Sequence, residues 1–227
     1  MASPEPRQIR PSFSWDDIDC VLLDMDGTLL DKYFDDYFWE HYVPEVFAKI
    51  NSLSPDQARQ QLLSRYRKVE ATLQWTDLDY WSGQLGLDIP ELKCRIDHLI
   101  QVHPHVIDFL SFLDRKNKQI HLVTNAHSKT LAIKLRKTRI GPYFTGIICS
   151  EVVGEAKEQP VFWEKLERII GFDRSRTLLA DDTTVVLAAA REYGIAHLVH
   201  IARPSSRKPI CYSAEFPSIA YFSELIL

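Results

Sequence analysis

Residues 20–28 read Cys20-Val21-Leu22-Leu23-Asp24-Met25-Asp26-Gly27-Thr28. A short apolar run ends in two aspartates one residue apart, followed by Gly-Thr. The run is uninterrupted and β-compatible, the pattern of a strand buried on both faces of a parallel sheet. Carboxylates past the C-terminal end of such a strand sit where open α/β sheets bind ligands. Two carboxylates this close repel one another, and in a partly buried site each raises the other's pKa. A divalent cation would relieve that cost. The plainer alternative is an Asp-rich turn in which Asp26-Gly27 ends the strand. The rest of the chain decides between them.

Downstream the texture becomes helical and aromatic from Asp31 to about Gln101, without β-alternation. Four helices are expected there. The first runs from Tyr33 to Ile50, and the second starts at Ser54-Pro55 and runs to about Thr72. The third covers Thr76 to Leu85 and stops at Gly86, and the fourth starts at Pro90 and ends before His103. From Val106 strands and helices alternate, with apolar runs at 119–123, 146–149, 177–180 and 197–201. Together with the opening run these predict a five-stranded parallel sheet with right-handed crossovers. The tail reads as a Pro/Ser-rich loop and a closing helix from about Ser218 to Ile226.

Composition narrows the function classes. Of 227 residues, 27 are Lys or Arg and 31 are Asp or Glu, for a net charge of −4. That balance argues against an obligate nucleic-acid partner. No apolar stretch approaches membrane-spanning length, and the N-terminus lacks the apolar core of a signal peptide. Cys20, Cys94, Cys149 and Cys211 lie far apart with no C-x-x-C pair, as expected of reduced thiols in a cytoplasmic protein.

Three strands end in polar groups, namely Asp24/Asp26, Thr124/Asn125 and Asp181/Asp182. Parallel strands share one C-terminal edge, so these groups converge on one crevice. Lys157, in the loop before the fourth strand, joins them. Carboxylates in an all-oxygen set suit Mg²⁺ rather than zinc. Lysine and threonine are suitable donors to a phosphoryl group that the metal also polarises.

On these residues the chain resembles the haloacid dehalogenase superfamily of phosphohydrolases. Asp24-Met25-Asp26-Gly27-Thr28 fits its Asp-x-Asp-Gly-Thr pattern fully, Thr124 its second motif, Lys157 its third and Asp181-Asp182 its acidic fourth. The segments Asp36-Tyr37-Phe38-Trp39, Leu78-Asp79-Tyr80-Trp81 and Thr124-Asn125-Ala126-His127 are similar to the GMP/IMP nucleotidases within it. The resemblance implies a Rossmann-like α/β core over residues 1–30 and 103–227, with 1–16 a loose leader. It also implies an inserted all-helical (C1-type) cap over 31–102. Asp24 would be the nucleophile and Asp26 the acid/base. Thr124, Asn125 and Lys157 would bind phosphate. Mg²⁺ would be held by Asp24, the Asp26 carbonyl and Asp182, with Asp181 in the outer shell or bridging through water. Two departures stand out. The third motif, Glu155-Ala156-Lys157-Glu158-Gln159, lacks the usual neighbouring Gly or Pro. The fourth has no further acid after Asp182 until Glu192.

The implied substrate is a small phosphorylated metabolite, a purine mononucleotide above others, with neither nucleic acid nor membrane as partner and the oligomeric state open. A phosphomutase on sugar phosphates shares the nucleophile and the cap type, and a catalytically silent binding protein could share the fold. Haloacid dehalogenation is disfavoured by Asp26, because a halide leaves without a proton whereas an alkoxide needs one. Elsewhere plain readings are preferred. His103 and His105 are assigned to a solvated hinge, and His121, His197 and His200 to structural positions. The run Lys134, Arg136, Lys137, Arg139 is assigned to a solvated helix face. The cap aromatics Trp39, Tyr80 and Trp81 are expected mainly to pack the cap, though aromatic faces also stack on bases.

Overall fold

The opening run forms β1 (Cys20–Leu23), buried at every residue. Successive side chains of a strand point to opposite faces. Val21 and Leu23 therefore join one apolar cluster with Phe109 and Leu113, while Cys20 and Leu22 join a second with Phe162 and Trp163. A strand covered on both sides must lie inside a three-layer stack, and the computed structural model, which describes residues 8–69 and 72–226, has that architecture.

After β1 come the inserted helices. α1 (Tyr33–Tyr37), a π-helical turn (Phe38–Tyr42) and α2 (Val43–Asn51) form one rod, with helical dihedrals across both junctions. α3 (Pro55–Tyr66) starts in a capping box in which Ser54 and Gln57 bond each other's backbone N–H. It stops at Tyr66, short of the expected Thr72, and residues 70 and 71 lie outside the described residues. α4 (Leu73–Thr76), α5 (Leu78–Leu85) and α6 (Ile89–Arg95) complete the insertion. The Asp77 carboxylate caps α5, and Gly86 closes it in the left-handed region at φ 65°.

The two crossings into this unit lie side by side. Leu30 and Val102 form an antiparallel bridge. Asp31 N–H donates to Gln101 O at 2.9 Å, and His103 N–H donates to Leu29 O at 2.9 Å. A core loop braces them, with Lys32 N–H donating to Pro204 O at 2.9 Å. His103 is thus half-buried at the crossing, its Nε2 3.2 Å from Pro204 O.

The chain then runs α7 (Val106–Arg115), β2 (Gln119–Thr124), α8 (Ser128–Thr138), β3 (Gly146–Cys149), α9 (Ser150–Val153), α10 (Pro160–Ile170), β4 (Thr177–Asp181), α11 (Thr184–Tyr193), β5 (His197–Ile201) and β6 (Ser218–Ile219). All neighbours pair in parallel, in the order β3-β2-β1-β4-β5-β6. The order reverses between β1 and β4, and at that reversal an open sheet leaves a crevice at its C-terminal edge.

Two expectations need correction. Among the described residues the sheet has six strands, not five, because Ser218–Ile219 pairs with His200 and Ile201 where a helix was expected. Only Phe222–Leu225 turns, as a 3₁₀ segment. A two-residue strand has no alternation to read, and the Ser218 hydroxyl is held by Phe216 O and His200 Nδ1. The loose leader falls partly on residues 1–7, outside the described residues. From Gln8 onward the chain is tied down, since Ser218 N–H donates to Ile9 O at 2.8 Å and Trp15 Nε1 donates to Leu225 O at 3.0 Å.

Candidate active site

Asp24 leaves the end of β1 with its N–H bonded to Ala180 O of β4 at 3.0 Å. That pairing sets its side chain beside the end of β4, in the crevice. Lys157 Nζ donates to Asp24 Oδ1 at 2.5 Å, to Asp181 Oδ2 at 2.7 Å and to Val123 O at 3.2 Å. All three side chains are buried. Burial pushes the Asp24 carboxyl above its ordinary range and that of Asp181 up to about 7, with Lys157 opposing both rises. Burial opposes the charge on Lys157 too, but the Asp181 and Asp24 carboxylates outweigh it and hold the ammonium. Among the described residues, Asp24 Oδ2 accepts no hydrogen bond and so keeps a free lone-pair edge.

Asp182 follows one residue on. Its Oδ2 accepts from Lys32 Nζ at 2.7 Å and its Oδ1 from the Thr183 hydroxyl at 3.2 Å. Gly27, at φ 90°, presses against it, and a Cβ built there would lie 2.5 Å from Asp182 Oδ2. Only glycine combines that backbone conformation with that approach. The Gly of the opening motif is therefore required by the fourth strand end.

Asp24, Asp181 and Asp182 each offer a carboxylate oxygen, and these atoms lie within 4.8 Å of one another. With all three acids ionised, two ammoniums, Lys157 and Lys32, leave one negative charge uncompensated, and burial already raises two of the acids. Hard oxygen donors with residual negative charge fit a divalent cation of the Mg²⁺ type. A second cluster, Asp77, Asp79 and His127, also comes together. That cluster is exposed to half-buried, so solvent already stabilises its carboxylates, and Lys129 Nζ bonds both Asp79 oxygens, at 2.5 and 2.6 Å.

Asp26 turns away from that trio. Its Oδ1 accepts from Lys134 Nζ at 2.5 Å, and the same ammonium donates to Asp35 Oδ2 of α1 at 2.5 Å. Asp35 Oδ1 in turn accepts from Lys93 Nζ of α6 at 2.9 Å. The result is a chain of alternating charge, with both ammoniums buried and both carboxylates half-buried, that runs from the core into the inserted helices. Burial raises Asp26 to about 6, an effect Lys134 partly offsets and Asp35 reinforces. Burial would raise Asp35 also, yet the two ammoniums hold it below the usual carboxylate range.

Thr124 ends β2, buried, with Oγ1 accepting from Ala126 N–H at 3.0 Å. Its hydroxyl proton stays available to a ligand. The Asn125 side chain is committed to the Lys157 loop. Its Oδ1 accepts from Lys157 N–H at 3.0 Å, and its Nδ2 donates to the Glu158 carboxylate at 2.9 and 3.1 Å. Its side chain therefore fixes the loop that carries Lys157.

All seven residues singled out from the sequence (Asp24, Asp26, Thr124, Asn125, Lys157, Asp181 and Asp182) line one cavity of about 820 Å³ between sheet edge and cap. That volume suits a ligand of mononucleotide size. His103, His121, His197 and His200 are not among its lining residues. Trp39 lines the cavity, whereas Trp81 is buried with its indole N–H bonded to Trp75 O at 2.8 Å.

Four charged residues were missed. Lys32, Asp35 and Lys93 were not singled out, and Lys134 was assigned to a solvated face, which the structure overturns, since it is 1% exposed. The signal was helical period. Lys134 follows Thr130 and Leu131 on the buried stripe of α8, as Lys93 follows Ile89 on that of α6. A run of four basic residues concealed it.

Comparison with known proteins agrees with this geometry. Residues 18–194 match the model of a family of hydrolases, the haloacid dehalogenase-like hydrolases. The GMP/IMP nucleotidase YrfG of Escherichia coli (strain K12) is 36% identical over 215 residues, covering 95% of this chain and 97% of that protein. A HAD phosphatase from Thermococcus onnurineus superposes with a TM-score of 0.75 at 25% identity, covering 92% of this chain and 96% of the other. The L-2-haloacid dehalogenase of Xanthobacter autotrophicus shares the fold at a TM-score of 0.59 and 15% identity, covering 92% and 96% of the two chains. The family match spans β1 through α11, and with it the strand ends that carry the acids. The chain belongs to the haloacid dehalogenase-like hydrolases.

Proposed function

We propose that the protein is a Mg²⁺-dependent phosphatase of small phosphomonoesters, with purine 5′-nucleotides as its substrates. The observation that carries this reading is the pairing of Asp24 and Asp26. The two acids share one loop and one cavity, yet have different partners and so can hold different protonation states. The likeness to a GMP/IMP nucleotidase over nearly the whole chain supports the choice of purine nucleotides.

Asp24 Oδ2 attacks phosphorus, forming a P–O bond as the bond to the ribose oxygen breaks, which gives an aspartyl-phosphate. Asp26 donates its proton to the departing oxygen. It then accepts a proton from the water that attacks the aspartyl-phosphate, releasing inorganic phosphate and restoring both acids. Lys157 and the Thr124 hydroxyl donate to the phosphoryl oxygens, with backbone N–H groups of the loop after Asp24 beside them. Asn125 holds the Lys157 loop in register. Asp24, Asp182 and the Asp26 carbonyl would hold Mg²⁺, which when bound would neutralise phosphoryl charge, with Asp181 behind them, its oxygens bonded to Lys157 Nζ and Thr183 N–H. A halide would need no acid at Asp26, so the fold shared with a dehalogenase does not carry that chemistry here.

The test is a phosphate-release screen over GMP, IMP, AMP, sugar phosphates and phosphoserine, with Mg²⁺ or with excess chelator. Release is expected with Mg²⁺, fastest from GMP and IMP, and should fall by at least about 10²-fold under chelation. Unchanged release under chelation would sink the metal assignment. Interconversion of sugar phosphates without released phosphate would mark a mutase instead.

A further inference from the structure

The cap side of the cavity carries chemistry that phosphate transfer does not use. The π-helical turn Phe38–Tyr42 interrupts the rod formed by α1 and α2, and Trp39, Glu40 and His41 all line the cavity. Three consecutive residues of a regular α-helix fan out over about 200°. A wider π-turn eases their presentation to one space, and such turns occur frequently at functional sites. Across α3, Arg59, Leu62, Leu63 and Tyr66 also line the cavity, at the i, i+3, i+4, i+7 spacing of one helix face. Arg67, the residue after α3, joins them. Aromatic rings line the same region, Tyr66 packing edge-to-face on Trp39 and on Trp75 with centroids 5.8 and 5.7 Å apart.

Arg59 and Arg67 differ from the other cations of the site. Lys32, Lys93 and Lys157 are each bound to a carboxylate. Neither arginine side chain has an ion pair or hydrogen bond among the described residues, and both are exposed. A guanidinium offers donors only, in a planar fork. A 6-oxopurine presents two acceptors on one edge, O6 and N7, and arginine pairs with that edge in bidentate fashion. Adenine replaces O6 with an amino donor, which a guanidinium cannot satisfy.

We propose that Arg59 and Arg67 are the specificity residues of the cavity, reading the O6/N7 edge of a 6-oxopurine whose ring lies against the cavity wall that Trp39, Tyr66 and Trp75 help to line. The inference rests on the purine-nucleotidase reading and extends it, because it selects GMP and IMP over AMP by a donor–acceptor match.

The test compares kcat/KM for GMP, IMP, AMP and ribose 5-phosphate in the wild-type protein, R59A, R67A and the double variant, with thermal melting of each. In the double variant the GMP:AMP and GMP:ribose 5-phosphate ratios should both fall by about 10- to 100-fold, the size of one bidentate base contact. An equal loss on all four substrates would overturn the proposal, as would ratios unchanged within about twofold, even with GMP still the best wild-type substrate. Wild-type protein active on ribose 5-phosphate but inert on GMP and IMP would instead remove the purine reading, and this inference with it.

Discussion

Asp24→Asn protein should release phosphate from GMP at least about 10³-fold more slowly than wild type, while melting at the same temperature or higher. An amide cannot attack phosphorus as a carboxylate does, and losses of this size follow removal of a covalent nucleophile. Stability has a separate logic. Burial already disfavours the Asp24 anion, so a neutral isostere removes a destabilised charge. Lys157 keeps Asp181 as its partner at 2.7 Å. The two readouts together separate lost chemistry from lost fold. Phosphate release within about tenfold of wild type would mean that another group attacks.

Lys134→Met should cost about 3–5 kcal/mol of stability at pH 8, measured by urea unfolding, because it removes the buried ammonium that Asp26 and Asp35 share and leaves Asp26 without a cation. The dependence on pH identifies the cause. Asp26, already raised to about 6 by burial with Lys134 beside it, would rise further without that cation. An acid whose folded pKa lies above its unfolded value binds its proton more tightly in the folded state, so acidification favours folding. The deficit of the variant should therefore shrink as the pH falls through the raised Asp26 value. Asp35 retains Lys93 at 2.9 Å and contributes less. A deficit below about 1 kcal/mol, or one that grows on acidification, would show that the buried pair does not act as described.

Much of this protein was legible because its decisive signals are local. Cys20–Leu23 reads as a doubly buried strand from four residues, and the acids, threonine and lysine that crowd the crevice each follow or precede such a run. Parallel topology does the rest, bringing Asp24 and Asp181 together from strands that pair directly. The cap helices were marked by Ser54-Pro55 and Gly86, where capping is a matter of single residues. What escaped the sequence depends on partners far away along the chain. Lys134 is a core residue only because Asp35, 99 positions earlier, and Asp26, 108 earlier, need its charge. By itself it belongs to a basic run indistinguishable from a solvated face. β6 escaped for another reason, since two residues carry no period and the strand exists through His200 and Ser218. Lys32 likewise lies just past the first crossing, and its role appears only when Asp182 arrives from β4.

The chain of alternating charge from Asp26 to Lys93 also joins the sheet-edge side of the cavity to the inserted helices. Lys134 comes from the core and Asp35 from the insertion, so seating the cap completes the surroundings of Asp26. Lys129–Asp79, Lys137–Asp97 and Lys208–Asp36 span the same junction at 2.5, 3.2 and 2.6 Å. Exposed pairs such as Lys129–Asp79 each add little stability.

The most direct test of the central claim is a rapid acid quench of the protein mixed with Mg²⁺ and GMP carrying a radiolabelled phosphate. Wild-type protein should retain label in a hydroxylamine-labile acyl phosphate that maps to the peptide containing Asp24, and Asp24→Asn protein should retain none. Phosphate released with no label on the wild-type protein at any quench time, or label persisting on Asp24→Asn, would contradict it.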